Sequence, residues 1–272
     1  MATPPPTGPL VTQDDITSGL RRLGVESGET LLVHSSLSSL GWVNGGAVAV
    51  VRALLDALGP RGTLAVPAQS SDLSDPARWE NPPVPEEWWD RIRATMPPYD
   101  PLTTPSLGVG VIPETVRTWP GALRSAHPQT SFAALGPRAR EITDGHAPDC
   151  RLGEHSPLAR LEERGARVLL LGTGYDTCTA FHLAEYRLPG PLARIGRPAP
   201  GGGGWETVTE VSITSAPFAE LGRDFERERP VVRGTVGAAG ARLFPLADAV
   251  AYAEGWLRAR GPGARGFPHP RD

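Results

Sequence analysis

The stretch Arg167–Leu188, RVLLLGTGYDTCTAFHLAEYRL, constrains the rest of the chain more than any other. Val168–Leu171 is a short unbroken apolar run, the pattern of a strand buried on both faces. Gly172 and Gly174 then bracket a turn, and Asp176 or Thr177 is placed to cap a helix carrying Phe181, His182, Leu183, Glu185 and Tyr186. Strand, glycine turn and helix in succession predict an α/β sheet, whose ligands gather outside the carboxyl ends of the strands. His182 falls on the first or second turn of that helix, with Asp176 before it and Glu185 three residues after it. A histidine on a helix is commonly a packed or surface residue. Polar groups crowding a strand end make this one a candidate for chemistry.

The chain before this stretch supplies a second unit of the same kind. Thr12 and Asp15 have capping-box character ahead of a helix that buries Ile16, Leu20 and Leu23 and stops near Gly24. Glu29–His34 reads as a strand, the loop 35–46 is rich in Ser and Gly, and Ala47–Leu58 is an amphipathic helix ending at Gly59. Thr63–Pro67 is a second buried strand, which completes a βαβ unit. Residues 69–105 show no period but carry Trp79, Trp88, Trp89 and Tyr99, enough aromatic surface to order a long loop. A helix over Val111–Trp119 is expected to break at Pro113, 124–132 reads as a loop, and Arg138–Thr143 and Pro157–Arg164 read as helices. Beyond Leu188, Gly201–Gly204 signals a hairpin or loop and Glu206–Thr214 alternates as a half-exposed strand does. A polar helix over Phe218–Glu228, a strand over Val231–Val236 with Ala241–Phe244 pairing nearby, and a last helix over Leu246–Arg260 follow. The fold class is therefore α/β: a mixed sheet with a parallel βαβ core flanked by helices and an antiparallel C-terminal extension. One domain spans residues 11–260, between a flexible Pro-rich stretch, 1–10, and a tail, 261–272.

Composition removes several classes. The 27 basic and 30 acidic residues give a net charge of −3, without the basic excess that would point to nucleic acid. No run of about 18 apolar residues suggests a membrane span. The opening MATPPPTGPL has neither the basic nor the apolar region of a secretory signal. Two cysteines, Cys150 and Cys178, make no disulfide framework and lack C-x-x-C spacing, so a cytoplasmic protein is expected. G-x-S-x-G, the phosphate loop and H-E-x-x-H are absent, so neither a serine-hydrolase elbow nor a metal is called for. Gly172-Thr173-Gly174 is half of a dinucleotide fingerprint and reads as an ordinary glycine turn.

Short blocks distributed along the chain resemble the aminoglycoside 3-N-acetyltransferase family. LLVHSSLSSLGWVNGG over Leu31–Gly46 is similar to the family's opening signature. Thr104–Gly108, Ile112–Glu114, Pro120-Gly121, Arg124-Ser125, His127-Pro128, Ser131-Phe132 and Gly153–Leu158 follow in the family's order. The central strand, turn and helix, then FAELGRDFE over Phe218–Glu226 and GTVGAA over Gly234–Ala239, complete a match over roughly residues 12–258. One departure is Cys178-Thr179, where the family pattern has Asn-Thr.

The resemblance implies transfer of acetyl from acetyl-CoA to the 3-amino group of a 2-deoxystreptamine ring, and hence aminoglycoside resistance. An acetyl-CoA-dependent transferase of the same fold acting on a different amine is the alternative. The resemblance assigns the base to His182 and its supporting acid to Glu226, with Asp176 a second acid able to fix the imidazole tautomer. A positioned base is needed because an ammonium has no lone pair with which to attack a thioester, and imidazole titrates near working pH. Backbone N–H groups or hydroxyls must also meet the oxyanion, and Thr177 and Thr179 are placed for that. CoA falls to His34, Ser35, Ser36, Leu37, Ser38 and Gly41, where a loop rich in hydroxyls meets a helix N-terminus, with Thr104, Ser106 and Gly108 extending the site. His34 and His127 read as structural or CoA-lining. Cys178, four residues before His182, would permit an acyl-cysteine route, against which stands the family's direct transfer. A polycationic drug calls for acids, and Asp72, Asp75, Glu80, Glu86, Glu87 and Asp90 form a candidate wall, with Glu185 also facing substrate. The partners implied are CoA and the small-molecule amine, without nucleic acid or membrane. Association into a homodimer stays open.

Overall fold

In a computed structural model that describes residues 8–261, the strands Thr30–Ser35, Thr63–Pro67 and Arg167–Leu171 run parallel, with Thr30–Ser35 in the middle. All three are buried on both faces, so alternate residues feed two separate cores. Leu31, Val33, Leu64, Val66, Leu169 and Leu171 share one core with Ile16, Leu20, Val50, Leu54, Ile112 and Val116. These come from the helices Gln13–Arg22, Gly46–Leu58 and Val111–Arg117. Leu32, Ala65, Val168 and Leu170 share the other core with Ile142, Leu158, Phe181, Leu183, Phe225 and Val250. Those come from the helices Ala139–Thr143, Pro157–Glu163, Ala180–Arg187, Phe218–Glu228 and Leu246–Arg260.

Antiparallel strands close both sides of the parallel core. The sheet order is Val232–Val236, Ala239–Pro245, Arg167–Leu171, Thr30–Ser35, Thr63–Pro67, Phe132–Leu135 and Leu123–Arg124. The C-terminal hairpin is the expected extension. The other antiparallel edge, Leu123–Arg124 and Phe132–Leu135, flanks the expected loop and was not expected itself, because LR and FAAL are too short to show a period. The helix Val111–Arg117 runs through Pro113 instead of breaking there. Pro113 is its third residue, and in the first turn no backbone N–H has an intrahelical acceptor to lose. Leu10–Val11, at the end of the stretch expected to be flexible, pairs in parallel with Trp42–Val43. The rest of that stretch, residues 1–7, and all but Gly261 of the C-terminal tail lie outside the described residues.

A separate hairpin pairs Leu192–Pro198 with Trp205–Val211 across the Gly201–Gly204 turn. Its first strand, LARIGRP, carries two arginines, a glycine and a proline, which hides it from any hydrophobic pattern. Arg197 is nevertheless 1% exposed, with Nε 2.8 Å from Glu206 Oε1 and Nη1 3.6 Å from Glu210 Oε1. Arg151, outside the hairpin, also reaches Glu210 with Nε at 3.0 Å and donates from Nη2 to Val211 O at 2.7 Å, which ties the hairpin to the body. The aperiodic 69–105 region is ordered by similar means. Arg93 pairs with Asp75 at 2.7 Å, Tyr99 Oη donates to Ser125 O at 2.7 Å, and Trp79 Nε1 donates to Ser74 Oγ at 3.0 Å.

Three buried histidines make stability depend on pH. Burial, aided by the nearby His182, holds His34 down at about 3. Burial and the adjacent His146 hold His127 at about 2, and burial holds His146 at about 4. Unfolded imidazoles titrate near 6.5, so between that value and the folded ones the unfolded chain binds more protons. Stability therefore rises with pH through this window and is lost as pH falls below about 6.5, by on the order of 1 kcal/mol per histidine per pH unit. Thermal melts at pH 7, 6 and 5 should show a progressively lower Tm. A flat Tm would mean that the three rings accept protons in the folded state.

Candidate functional site

The carboxyl ends of the three parallel strands all open on one edge, and the loops leaving them build a cleft of about 970 Å³. Val33 to Ser38 and Gly41 to Val43 form one wall after the first strand. Pro67 and Gln69 follow the second strand, and Gly108 to Val111 with Pro113 line the cleft from beyond the aperiodic region. Thr173, Asp176, Thr177, Thr179 and His182 come from the turn and helix after the third strand. Close packing of two of these loops depends on Gly172. Its φ is +73°, and a Cβ there would meet Ser39 Cβ at 2.6 Å. Ser39 Oγ donates to Gly172 O at 2.9 Å and so joins the serine loop to the central turn.

His182 lines this cleft and also a second cavity of about 310 Å³, shared with Asp75, Arg78, Gln129, Thr130, Arg151, Ile195 and Ile213. The imidazole therefore stands where the two spaces meet. Its side chain is 12% exposed and its ring packs against Phe218 at 4.7 Å between centroids. Nδ1 lies 2.5 Å from Glu185 Oε2, one helical turn away on the same helix. Glu185 is fully buried, and its other oxygen accepts from Thr214 N at 3.1 Å. With Nδ1 committed, Nε2 is the ring nitrogen left for a ligand.

The pairing expected for Glu226 is not formed. Glu226 lies on the Phe218–Glu228 helix, where its oxygens sit 3.0 Å from Arg242 Nε and 3.4 Å from Arg233 Nε. Tyr175 packs into the same corner with Arg242 over its ring, a fit that requires Gly222, since a Cβ there would lie 2.0 Å from the ring. Glu185 holds the place beside the imidazole. It is also not free to face a substrate, because both of its oxygens are already bonded. Asp176 is exposed on the larger cleft and makes no hydrogen bond to His182.

His34, Ser35, Ser36, Leu37, Ser38, Gly41 and Gly108 all line the larger cleft. Ser36 Oγ bonds Ser38 Oγ at 3.1 Å and Ser39 Oγ at 3.0 Å, while Ser35 Oγ is buried with no partner. His34 Nε2 is 3.3 Å from Thr179 Oγ1, which ties the first strand to the helix of His182. Thr104 and Ser106 stand apart. Thr104 Oγ1 accepts from Asp100 N, and Ser106 gives both its N–H and its hydroxyl to Glu114 Oε2, at 2.9 and 2.6 Å. His127 is a buried structural residue whose Nδ1 accepts the backbone N–H groups of Gln129 and Thr130. Cys178 is fully buried, its thiol pushed up to about 12 by burial, and it lines neither cavity.

The acidic wall is not assembled. Asp72, Glu80, Glu86, Glu87 and Asp90 are exposed and line neither space, and Asp75 alone reaches the smaller cavity. Arg78 and Arg151 lie beside it there, and both were missed by a search of the sequence for carboxylates alone. Among the described residues no cluster of three or more His, Cys, Asp or Glu suits a metal ion. No helix among them is long and apolar enough to cross a membrane.

An imidazole that lines two cavities and has a buried carboxylate on one nitrogen, set at the carboxyl edge of an open α/β sheet, is an arrangement suited to moving a proton between two bound reactants. The model of the aminoglycoside 3-N-acetyltransferase family matches residues 32–258. The chain is 48% identical over 251 residues to the SPbeta prophage-derived aminoglycoside N(3')-acetyltransferase-like protein YokD of Bacillus subtilis, covering 90% of this chain and 92% of that one. The crystal structure of YokD superposes with a TM-score of 0.89 at 47% identity, covering 92% and 94% of the two chains. Aminoglycoside N(3)-acetyltransferase VIII of Streptomyces fradiae is 37% identical over 279 residues, 95% of this chain and 96% of the relative. AAC-IIIb, solved as a binary complex with CoASH, superposes with a TM-score of 0.80 at 33% identity over 96% of this chain and all of that one (100%). The protein is an acyltransferase, and it belongs to the aminoglycoside 3-N-acetyltransferase family.

Proposed function

We propose that this chain transfers the acetyl group of acetyl-CoA to a primary amine, the 3-amino group of the 2-deoxystreptamine ring of an aminoglycoside, with His182 as general base. The observation that carries the reading is the place of His182 between two cavities with Nδ1 held by Glu185. The acceptor reacts as the free amine, its extra proton lost to solvent, and the imidazole Nε2 takes a second proton from its nitrogen as that nitrogen attacks the thioester carbonyl. The tetrahedral intermediate collapses, the C–S bond breaks, and the imidazolium returns the proton to the departing CoA sulfur. Glu185 fixes the tautomer and faces the charge that forms on the ring. Thr177 and Thr179, on the cleft wall beside His182, are the groups placed to meet the oxyanion.

The larger cleft fits the donor. No lysine or arginine lines it among the described residues, so the CoA phosphates fall to hydroxyls and backbone N–H groups of the serine loop at the N-terminus of the Gly46–Leu58 helix. Direct transfer is favoured over an acyl-enzyme, because Cys178 is buried, protonated and outside both cavities. Two free, buried cysteines suit a reducing cytoplasm.

A different amine is the second reading, and the loop acids other than Asp75 support it by lining neither cavity. A thiol-release assay with acetyl-CoA and both 4,5- and 4,6-disubstituted aminoglycosides, with mass spectrometry to locate the acetylated nitrogen, tests the first reading. Intact mass after mixing with acetyl-CoA alone should show no added acetyl group. The chain has no lysine, so a stoichiometric adduct that peptide mapping places on a thiol or hydroxyl, and not on the N-terminal amine, would overturn direct transfer.

A further inference from the structure

We infer that the adenine of acetyl-CoA stacks on Trp42, whose indole is the platform for the nucleotide end of the donor. The inference rests on the placing of CoA in the larger cleft and extends it to a part of the donor that the serine loop leaves unassigned. CoA carries its charge on a diphosphate and a 3′-phosphate, yet no lysine or arginine lines the cleft among the described residues. Hydroxyls and backbone N–H groups can orient phosphates there, but they bring no full positive charge. The other source of affinity for a nucleotide is the face of its base, which stacks on aromatic side chains. Trp42 is the one Trp, Tyr or Phe on the cleft wall among the described residues.

The indole is presented to solvent instead of being packed away. Trp42 is 51% exposed, while the next residue, Val43, is buried. Alternation along the strand Trp42–Val43 produces this, since with Val43 turned into the core Trp42 faces out. The backbone beneath it is pinned on both sides. Asn44 N donates to Val11 O at 2.9 Å, and Ala238 N donates to Leu40 O at 3.0 Å. The base of the indole is thus fixed before the donor arrives, which limits the ordering that stacking costs. Positions along the cleft agree with the order of groups in the donor. His182, with its side chain 12% exposed, stands at the inner end, where the thioester must lie. The serine loop comes next, then Gly41 and the half-exposed Trp42. In acetyl-CoA the thioester, the pantetheine arm, the diphosphate and the adenine follow in the same sense.

Calorimetric titration with CoA and with 4′-phosphopantetheine, which lacks the nucleotide, tests this without any acceptor amine. The wild type should bind CoA the more tightly of the two. Trp42→Ala should raise the Kd for CoA roughly tenfold, in line with the loss of one base–aromatic stack, and leave 4′-phosphopantetheine within about twofold. Trp42→Tyr should recover most of the loss, because it restores an aromatic face. An equal loss for both ligands would mean that Trp42 only shapes the serine loop, and would overturn the inference. Unchanged CoA binding in Trp42→Ala, or no recovery in Trp42→Tyr, would overturn it as well. So would an effect of Trp42→Ala confined to the oligomeric state on gel filtration, which would make the indole a contact between copies of the chain. In all of these cases the wild type still binds CoA, and the donor cleft stands. Failure of the wild type to bind CoA removes the donor cleft, and this inference with it.

Discussion

Replacement of His182 by alanine is expected to lower kcat by about 10²–10⁴, the usual worth of a positioned general base. The KM for acetyl-CoA should change little, because the larger cleft, proposed above as the CoA site, is built mainly from the serine loop and residues 108–113. The loss should be chemical and not structural. His182 packs on Phe218 at one edge of a core that is otherwise held by Phe181, Leu183 and Phe225, all of them fully buried. Truncation at such a partly exposed site costs less than at a sealed one, and a second variant, His182→Gln, keeps most of the side-chain volume. Steady-state thiol release and a thermal melt on each variant separate the two effects. Retention of more than about a tenth of wild-type turnover by both variants would remove His182 as the base.

How far the sequence led depends on the kind of signal each element carries. The three parallel strands were legible because burial on both faces leaves an unbroken apolar run between glycine turns. The helix Leu246–Arg260 and the helix Phe218–Glu228 were bounded correctly for the related reason that an amphipathic period survives in them. The strand Leu192–Pro198 was not legible, since its place is secured by Arg197 buried against Glu206 and Glu210, a pairing that only the folded hairpin creates. The acidic segment misled for a similar reason. Composition says that Glu86, Glu87 and Asp90 are charged but not which way they point, and they point to solvent. Arg78 is the converse case, since one arginine among many in sequence is set apart only by the fold, which places it, exposed, at the wall of the smaller cavity.

The acid beside His182 shows the same limit at the scale of one hydrogen bond, and it sets the second large prediction. Glu185 was visible at helical spacing, whereas family resemblance drew the role to Glu226. The Phe218–Glu228 helix does touch the imidazole, but through Phe218. Glu226 lies eight residues further on, about 12 Å along the helix axis at 1.5 Å per residue, too far to reach Nδ1. Glu185→Gln preserves shape, and its amide oxygen still accepts from Thr214 N. The amide nitrogen then donates to Nδ1 and drives the ring proton to Nε2, the atom that must be bare to act as a base. In a serine protease triad the equivalent change costs about 10⁴ in kcat, so a fall of about 10²–10⁴ is expected here. Stability should hold or rise, since a fully buried carboxylate is replaced by a neutral amide. Glu226→Gln should do the reverse. It loosens the pairing with Arg242 and Arg233 and lowers Tm, but leaves kcat within about threefold, a change of well under 1 kcal/mol in the barrier. Measured side by side, kcat and Tm should move in opposite senses for the two glutamates. An equal loss of kcat in Glu226→Gln, with Glu185→Gln active, would return the supporting role to Glu226 and require the Phe218–Glu228 helix to move when substrate binds.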